Sequence, residues 1–198
     1  GDYRRFRPSV YADYIMYMPV LFQTVMRVQG VAYSRVIPGY TAAMVWKPHV
    51  TVAAVAQRHD RFLFVEERVG GKLVINQPAG HLESGENLIE AVVRETLEET
   101  AWHFEPEALV GIYLWRQPQN GSTFLRFSFA GRVSGHDSSL DLDDGIERAL
   151  WLNRDQIISQ QPRLRSPMVL RGVDDFLAGQ RIPLAVLESL DVAHDVTE

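Results

Sequence analysis

Cysteine is missing from this 198-residue chain, which excludes disulfides, thiol nucleophiles and zinc–thiolate sites. Long hydrophobic runs are missing too. No stretch approaches the roughly 18 apolar residues of a membrane-spanning helix, so no membrane partner is expected. Nor is there an excess of basic residues: 20 Lys and Arg face 25 Asp and Glu, a net charge of −5. Nucleic-acid binding, which needs a basic face, is therefore not expected. Internal repeats and low-complexity segments are also absent. The stretch from Tyr14 to Val28, with Arg4, Arg5 and Arg7 ahead of it, imitates a signal peptide. Pro19 breaks its apolar part and Tyr33-Ser34-Arg35 makes a poor cleavage site, so a cytoplasmic protein is the expectation.

What is present divides unevenly. Residues 1–43 hold six of the seven tyrosines and five arginines against two aspartates, with no period of 2 or 3.6. Regular patterning begins at Met44. The expectation is a non-essential extension (1–43) that opens on a non-native Gly1, a functional domain (44–190) and a short tail (191–198). Within the domain, His49–Gln57 and Phe62–Glu67 read as strands joined by the polar turn Arg58–Arg61, a hairpin pattern, and Leu73–Asn76 reads as a third strand.

Asn87 followed by Glu90 has the spacing of a helix capping box. The helix it opens is expected to bury Ile89, Val93, Thr96, Leu97 and Thr100, and to present Glu95, Glu98 and Glu99 on the opposite face, with Pro106 limiting its extent. Strands follow at 108–117 and 123–133. Alternation in the second, with Phe124 and Arg126 against Leu125, Phe127 and Phe129, predicts a sheet with one buried face. A polar loop leads to a strand over 146–152, a helix capped by Asn153, and a last helix from Pro167 to about Ala178, ended by Gly179. Strands with interspersed helices indicate an α+β domain.

Three carboxylates stand out. Glu95, Glu98 and Glu99 fall at i, i+3 and i+4, within an arc of about 100° on one helix face. Carboxylates that close repel, and a bound divalent cation offsets the repulsion. A solvated acidic face is the plain alternative.

The wider context of these residues resembles the Nudix box. Gly80, Glu86, Arg94-Glu95, Glu98-Glu99 and the final hydrophobic Trp102 stand at its spacings. Thr96 departs from the usual aliphatic residue and Ala101 from the usual glycine; alanine at a left-handed helix end costs about 1 kcal/mol. The segments KPHVTVA, NQPAGHLE, FLRFSFA, LRSPMV and GQRIPL extend the resemblance to a bacterial phosphatase branch of that family over residues 44–190.

The resemblance implies an α/β/α sandwich around a mixed sheet, with the box helix on one side and the C-terminal helix on the other. It implies Mg2+, replaceable by Mn2+, held by Glu95, Glu98, Glu99 and the Gly80 backbone. One of these carboxylates, with Glu98 and Glu99 the leading candidates, or a nearby acid would handle the attacking water, and Arg94 and Glu86 would form a supporting ion pair. A further acid ahead of Trp151 is expected, with Glu147 as candidate and Asp141, Asp143 and Asp144 as competitors. His81 and Arg126 are candidates for substrate contact, with His49 and Arg165 behind them. Trp46, Trp115 and Phe124 can stack on a heteroaromatic base or simply pack. The implied activity is release of phosphate from pyrophosphorylated small molecules: hydroxymethylpyrimidine diphosphate, thiamine diphosphate, and nucleoside di- and triphosphates. Two alternatives stand beside it: a nucleotide-sanitising enzyme that releases pyrophosphate, and a non-catalytic nucleotide sensor. The only partner expected is the small-molecule substrate, bound by a monomer.

Overall fold

The computed structural model describes residues 26–28, 31–33 and 46–190. The expectations placed on Met44 as a functional start and on the 191–198 tail lie outside them. The chain divides into two units, Gly1–Val45 and Trp46–Glu198. In the first, where no sequence period marks an element, β1 (Met26–Val28) and β2 (Val31–Tyr33) pair antiparallel, with Met26 opposite Tyr33.

The second unit is built on a mixed seven-stranded sheet. Its strands are β3 (His49–Arg58), β4 (Arg61–Val69), β5 (Lys72–Asn76), β6 (His103–Arg116), β7 (Thr123–Ser134), β8 (Ile146–Leu152) and β9 (Ile182–Pro183). The order is β5-β4-β3-β7-β6-β9, with β8 on the other edge of β4. Only β3 and β7 run parallel, with Val52 opposite Phe127. Gly70 and Gly71, both at positive φ, make the two-residue turn between β4 and β5, a conformation that suits the strands' twist and that glycine reaches without strain.

Three helices cover the sheet: α1 (Leu88–Thr100), α2 (Arg154–Ser159) and α3 (Pro167–Leu177). Alternate residues of each strand face opposite layers. Val52, Ala54 and Ala56 of β3 pack with Ala91 and Val92 of α1. Val55 packs with Val169 and Val173 of α3 and Ile157 of α2. A sheet covered on both faces explains the unbroken apolar run of β3. It also corrects the one-sided reading of β7, where Arg126 and Ser128 are as buried as Phe129.

The hairpin of β3 and β4 closes only at its turn, where Gln57 pairs with Phe62 and Arg58 with Arg61. Beyond that β3 leaves β4, and β5 takes over the same edge from Val65 onward. The sheet is thus split, and the segment Gln77–Leu82 threads the gap.

Helix α1 begins as its sequence predicts: Asn87 Oδ1 accepts from the Ile89 and Glu90 amides, and Glu90 accepts from the Asn87 amide at 2.8 Å. Its buried stripe is different from the expected one. Ala91, Val92, Glu95, Thr96, Glu99 and Thr100 are buried, so two of the carboxylates lie within the stripe instead of opposite it. The helix ends on Ala101 in the left-handed conformation (φ 57°). Pro106 plays no part in that stop and sits inside β6, which starts at His103, five residues ahead of its expected position.

Replacing Asn87 with alanine removes the side-chain half of the capping box. A loss of about 1 kcal/mol is expected in urea unfolding; no measurable change would show that packing alone sets this helix start.

Candidate active site

The split in the sheet creates the site. Gln77–Leu82 runs antiparallel along the edge of β3: the Ala54 amide donates to Pro78 O at 2.9 Å and the Val52 amide to Gly80 O at 3.0 Å. The Leu82 amide donates to Val50 O at 3.1 Å. This holds the loop against α1. A Cβ at Gly80 would lie 2.1 Å from the carboxylate atoms of Glu95, so a side chain there would displace that carboxylate.

One guanidinium ties the arrangement together. Arg94 Nε and Nη2 donate to the two oxygens of Glu86 at 2.9 and 2.7 Å, a bidentate pair. Nη1 donates to Glu95 Oε1 and Glu98 Oε2, both at 2.9 Å, and Nη2 also reaches His81 O at 3.1 Å. The Glu86 bonds come first in raising the Arg94 pKa, which makes this a permanent cation. Glu86 also accepts from the Glu83 amide at 2.8 Å, which closes the loop that leads into the helix.

The three box carboxylates differ in surroundings. The Glu98 side chain is 39% exposed and Glu95's 10%. Burial raises the Glu95 pKa, opposed by Arg94 and reinforced by Glu98 and Asp143. Burial pushes Glu99 up to about 9; the Ala79 amide, donating at 2.8 Å, opposes this, while Glu95 and Glu67 add to it. Among the described residues no three acidic or histidine groups form a preformed cation cage. Arg94 Nη1 stands between Glu95 and Glu98 instead.

Outside the box, the acids whose charge bears on it are Asp143 and Glu67. Asp143 is anchored there through its amide, which donates to Glu98 O at 3.0 Å. Glu147, the expected further acid, is held by Arg68 at 2.7 Å with its side chain 43% exposed. Nothing in the spacing ahead of Trp151 distinguishes these acids; the helix–loop bond of Asp143 does.

On the other side of Gly80 lies a cleft of about 220 Å³ lined by Trp115, Phe124, His81, Arg165 and Met168. Phe124 stacks between Trp115 (centroids 6.0 Å, 26°) and His49 (5.1 Å, 26°). Trp46 is exposed and borders a separate hollow beside Leu114. Burial lowers the His81 pKa, with His49 and Arg165 adding, so this imidazole is neutral at pH 7. Arg126 is 4% exposed at the cleft floor, and donates to Asn76 Oδ1 at 3.0 Å and Gln77 Oε1 at 3.3 Å. It brings a positive charge between Glu99 and Glu67. The sequence reading missed Glu67, Asn76 and Ser166, which line the same cleft; each looks like an ordinary polar residue at the end of an element.

This geometry agrees with the comparisons. The model of the NUDIX domain matches residues 47–170, and the chain belongs to the Nudix family: it is a Nudix hydrolase acting on pyrophosphate bonds. More particularly, it is similar to Phosphatase NudJ of Escherichia coli K12, 39% identical over 142 residues, covering 72% of this chain and 92% of the relative. The Shigella flexneri Phosphatase NudJ is equally similar, with the same identity of 39% and the same coverage. Among solved structures, a NUDIX hydrolase from Nitrosomonas europaea is 48% identical with a TM-score of 0.73, and covers 74% of this chain and all of that one. A MutT NUDIX hydrolase from Burkholderia pseudomallei shares the fold at 20% identity and a TM-score of 0.56, over 66% of this chain and 98% of its own.

Nudix hydrolases generally use divalent metal ions such as Mg2+, and the residues here fit one. Glu95, Glu98 and Glu99 are hard oxygen donors. Two of them are buried carboxylates whose charged forms lack sufficient compensation, and their pKa values rise accordingly. A cation in contact with them would restore the charge.

The sign of the pH effect follows. The folded Glu99 value, about 9, lies above the reference 4.5, so the folded state takes up a proton that the unfolded state releases. Stability from this group is complete below about 4.5 and is lost as pH climbs toward 9. In chelator, the wild-type protein should weaken across this window more steeply than Glu99→Gln. Denaturant titrations at several pH values measure both slopes, and equal slopes would refute the assignment.

Proposed function

We propose that this chain is a Mg2+-dependent phosphatase, active also with Mn2+, that releases orthophosphate from diphosphates and triphosphates of small organic groups. Hydroxymethylpyrimidine diphosphate, thiamine diphosphate and nucleoside di- and triphosphates are the substrates proposed. The observation that carries this reading is the closure of two buried box carboxylates on the Gly80 loop, directly beside an aromatic cleft. Similarity to relatives named as phosphatases supports orthophosphate as the product.

Glu95, Glu98 and Glu99 would hold the cation, beside the bare backbone of Gly80. When bound, such a cation supplies the charge neutralisation and Lewis acidity that a phosphoanhydride requires. Arg94 ties Glu95 and Glu98 to Glu86 and so holds the helix to the loop that precedes it. Glu98, the more open carboxylate, or Glu99, whose protonation responds to local charge, would orient and deprotonate water. His81 and Arg126 border the path from box to cleft: His81 as a neutral hydrogen-bonding group, Arg126 through its charge behind Glu99.

A substrate panel with Mg2+, scored separately for phosphate and pyrophosphate, tests the reading. Orthophosphate release from diphosphates is expected. Pyrophosphate as the product would make the chain a nucleotide-sanitising enzyme, and absence of turnover across the panel would leave a nucleotide sensor. Glu99→Gln should lower kcat at least about 100-fold with an unchanged circular dichroism spectrum; near-normal turnover would remove Glu99 from the ligand set.

A further inference from the structure

Among the described residues, two buried side-chain atoms have no hydrogen-bond partner, Glu67 Oε1 and Ser166 Oγ. Both residues line the cleft beside Gly80. A buried polar atom left without a partner is destabilising, so two of them around one small cavity call for a cause.

Ser166 is the sharper case. It is 6% exposed and occupies the N-cap position of α3, where a serine hydroxyl ordinarily accepts a hydrogen bond from the first turn. No such bond forms here. The surrounding backbone is fixed: Leu164 bridges Ile75, the Arg165 amide donates to Ile75 O at 2.9 Å, and Pro167 starts the helix. The buried Gln77 amide reinforces this by donating to Val169 O at 2.8 Å.

Glu67 lines the same cleft, beside Arg165, the neighbour of Ser166. Its Oε1 has only Arg165 Nε nearby, at 3.6 Å, too long for a hydrogen bond. Arg126, the nearest buried donor, is committed to Asn76 and Gln77. The aromatic wall of Trp115 and Phe124 completes the cavity. At about 220 Å³ it falls below the roughly 300–1,000 Å³ of drug-sized sites and suits a single substituted ring.

We propose that Glu67 and Ser166 are specificity-determining residues that read the edge of the substrate's organic group. Glu67 Oε1 accepts an N–H from a planar heteroaromatic ring, and Ser166 Oγ meets the neighbouring polar atom of the same edge. An ionised carboxylate accepts only, so the pair selects rings with an N–H donor over apolar rings of the same size. This rests on the hydrolase reading above and names the part of the site that chooses among its substrates.

The test compares (4-aminopyrimidin-5-yl)methyl diphosphate with benzyl diphosphate in the presence of Mg2+. The wild-type protein should favour the aminopyrimidine by at least about tenfold in kcat/KM, the worth of one charge-assisted hydrogen bond. Ser166→Ala and Glu67→Leu should each bring that ratio toward one, mainly through KM. A second readout does not depend on turnover. Saturation-transfer NMR should detect (4-aminopyrimidin-5-yl)methanol on the wild-type protein and lose it in both variants, whose folding is checked by thermal melts. If Ser166→Ala folds normally and keeps both the ratio and the NMR signal, the proposal is overturned. If the wild-type protein hydrolyses neither diphosphate, the hydrolase reading fails instead, and the NMR comparison alone decides whether Glu67 and Ser166 bind the ring.

Discussion

Like charges crowded on one side of a buried helix are the constraint on which this structure turns. Side chains three and four residues apart lie about 5–6 Å apart at Cβ. At that distance two carboxylates repel by about 3 kcal/mol at an effective dielectric of ~20. Glu95 and Glu99 bear this inside the packed stripe of α1, where hydration cannot relieve it. Arg94 answers part of it, through one nitrogen between Glu95 and Glu98 and a bidentate grip on Glu86. Lysine could not make these bonds at once, because an ammonium lacks the planar fork. Glu99 lies outside Arg94's reach and has a single amide and the charge of Arg126 instead. Burial, with no guanidinium bonded to the carboxylate to offset it, pushes Glu99 up to about 9.

The rest of the fold serves this arrangement. Because β3 parts from β4 after its turn, an edge of β3 is free to bond the Gln77–Leu82 segment. The segment brings the Ala79 amide to Glu99 and the bare Gly80 to Glu95. The same split admits Arg126 to the partners Asn76 and Gln77, which follow one another at the end of β5. Gln77 in turn holds α3 at Val169. The helices on opposite faces of the sheet are thus joined through one polar passage, and the site lies at its mouth.

Much of this was readable from the residues. Strand periodicity, the Asn87–Glu90 cap and the charged spacing of the box determine elements locally, so β3–β5, the start of α1, β7 and β8 agree closely with expectation, whereas β6 starts early, at His103. The buried side of α1 did not follow from its own sequence. Its apolar residues Ile89, Val93 and Leu97 define a face, but packing against the Gly80 loop turns the helix so that Ala91, Glu95 and Glu99 go inside. A hydrophobicity pattern places carboxylates outward and cannot anticipate a site that requires them inward. Ala101 takes the left-handed conformation usual for glycine, so the strain is accepted and the helix end kept. Glu67 and Glu147 illustrate the other limit. Both are strand acids, and only the tertiary fold decides which faces the cleft and which pairs with an exposed Arg68.

The electrostatics of the two ends of the site bear on how a substrate can bind at all. The box end carries Glu86, Glu95 and Glu98 against Arg94, an excess of negative charge before any ligand arrives. A diphosphate placed there adds further negative charge, so binding and not only hydrolysis is opposed. The cleft cannot compensate through its own cations. Arg126 is buried and occupied by Asn76 and Gln77, and Arg165 faces Glu67. A hard divalent cation at the carboxylates would reverse the sign of this balance and let phosphate oxygens approach. A cation held there would therefore act on substrate association before it acts on hydrolysis. A neutral ring would meet no such barrier, so the cleft would discriminate by hydrogen-bond pattern and fit while the box end sets the charge.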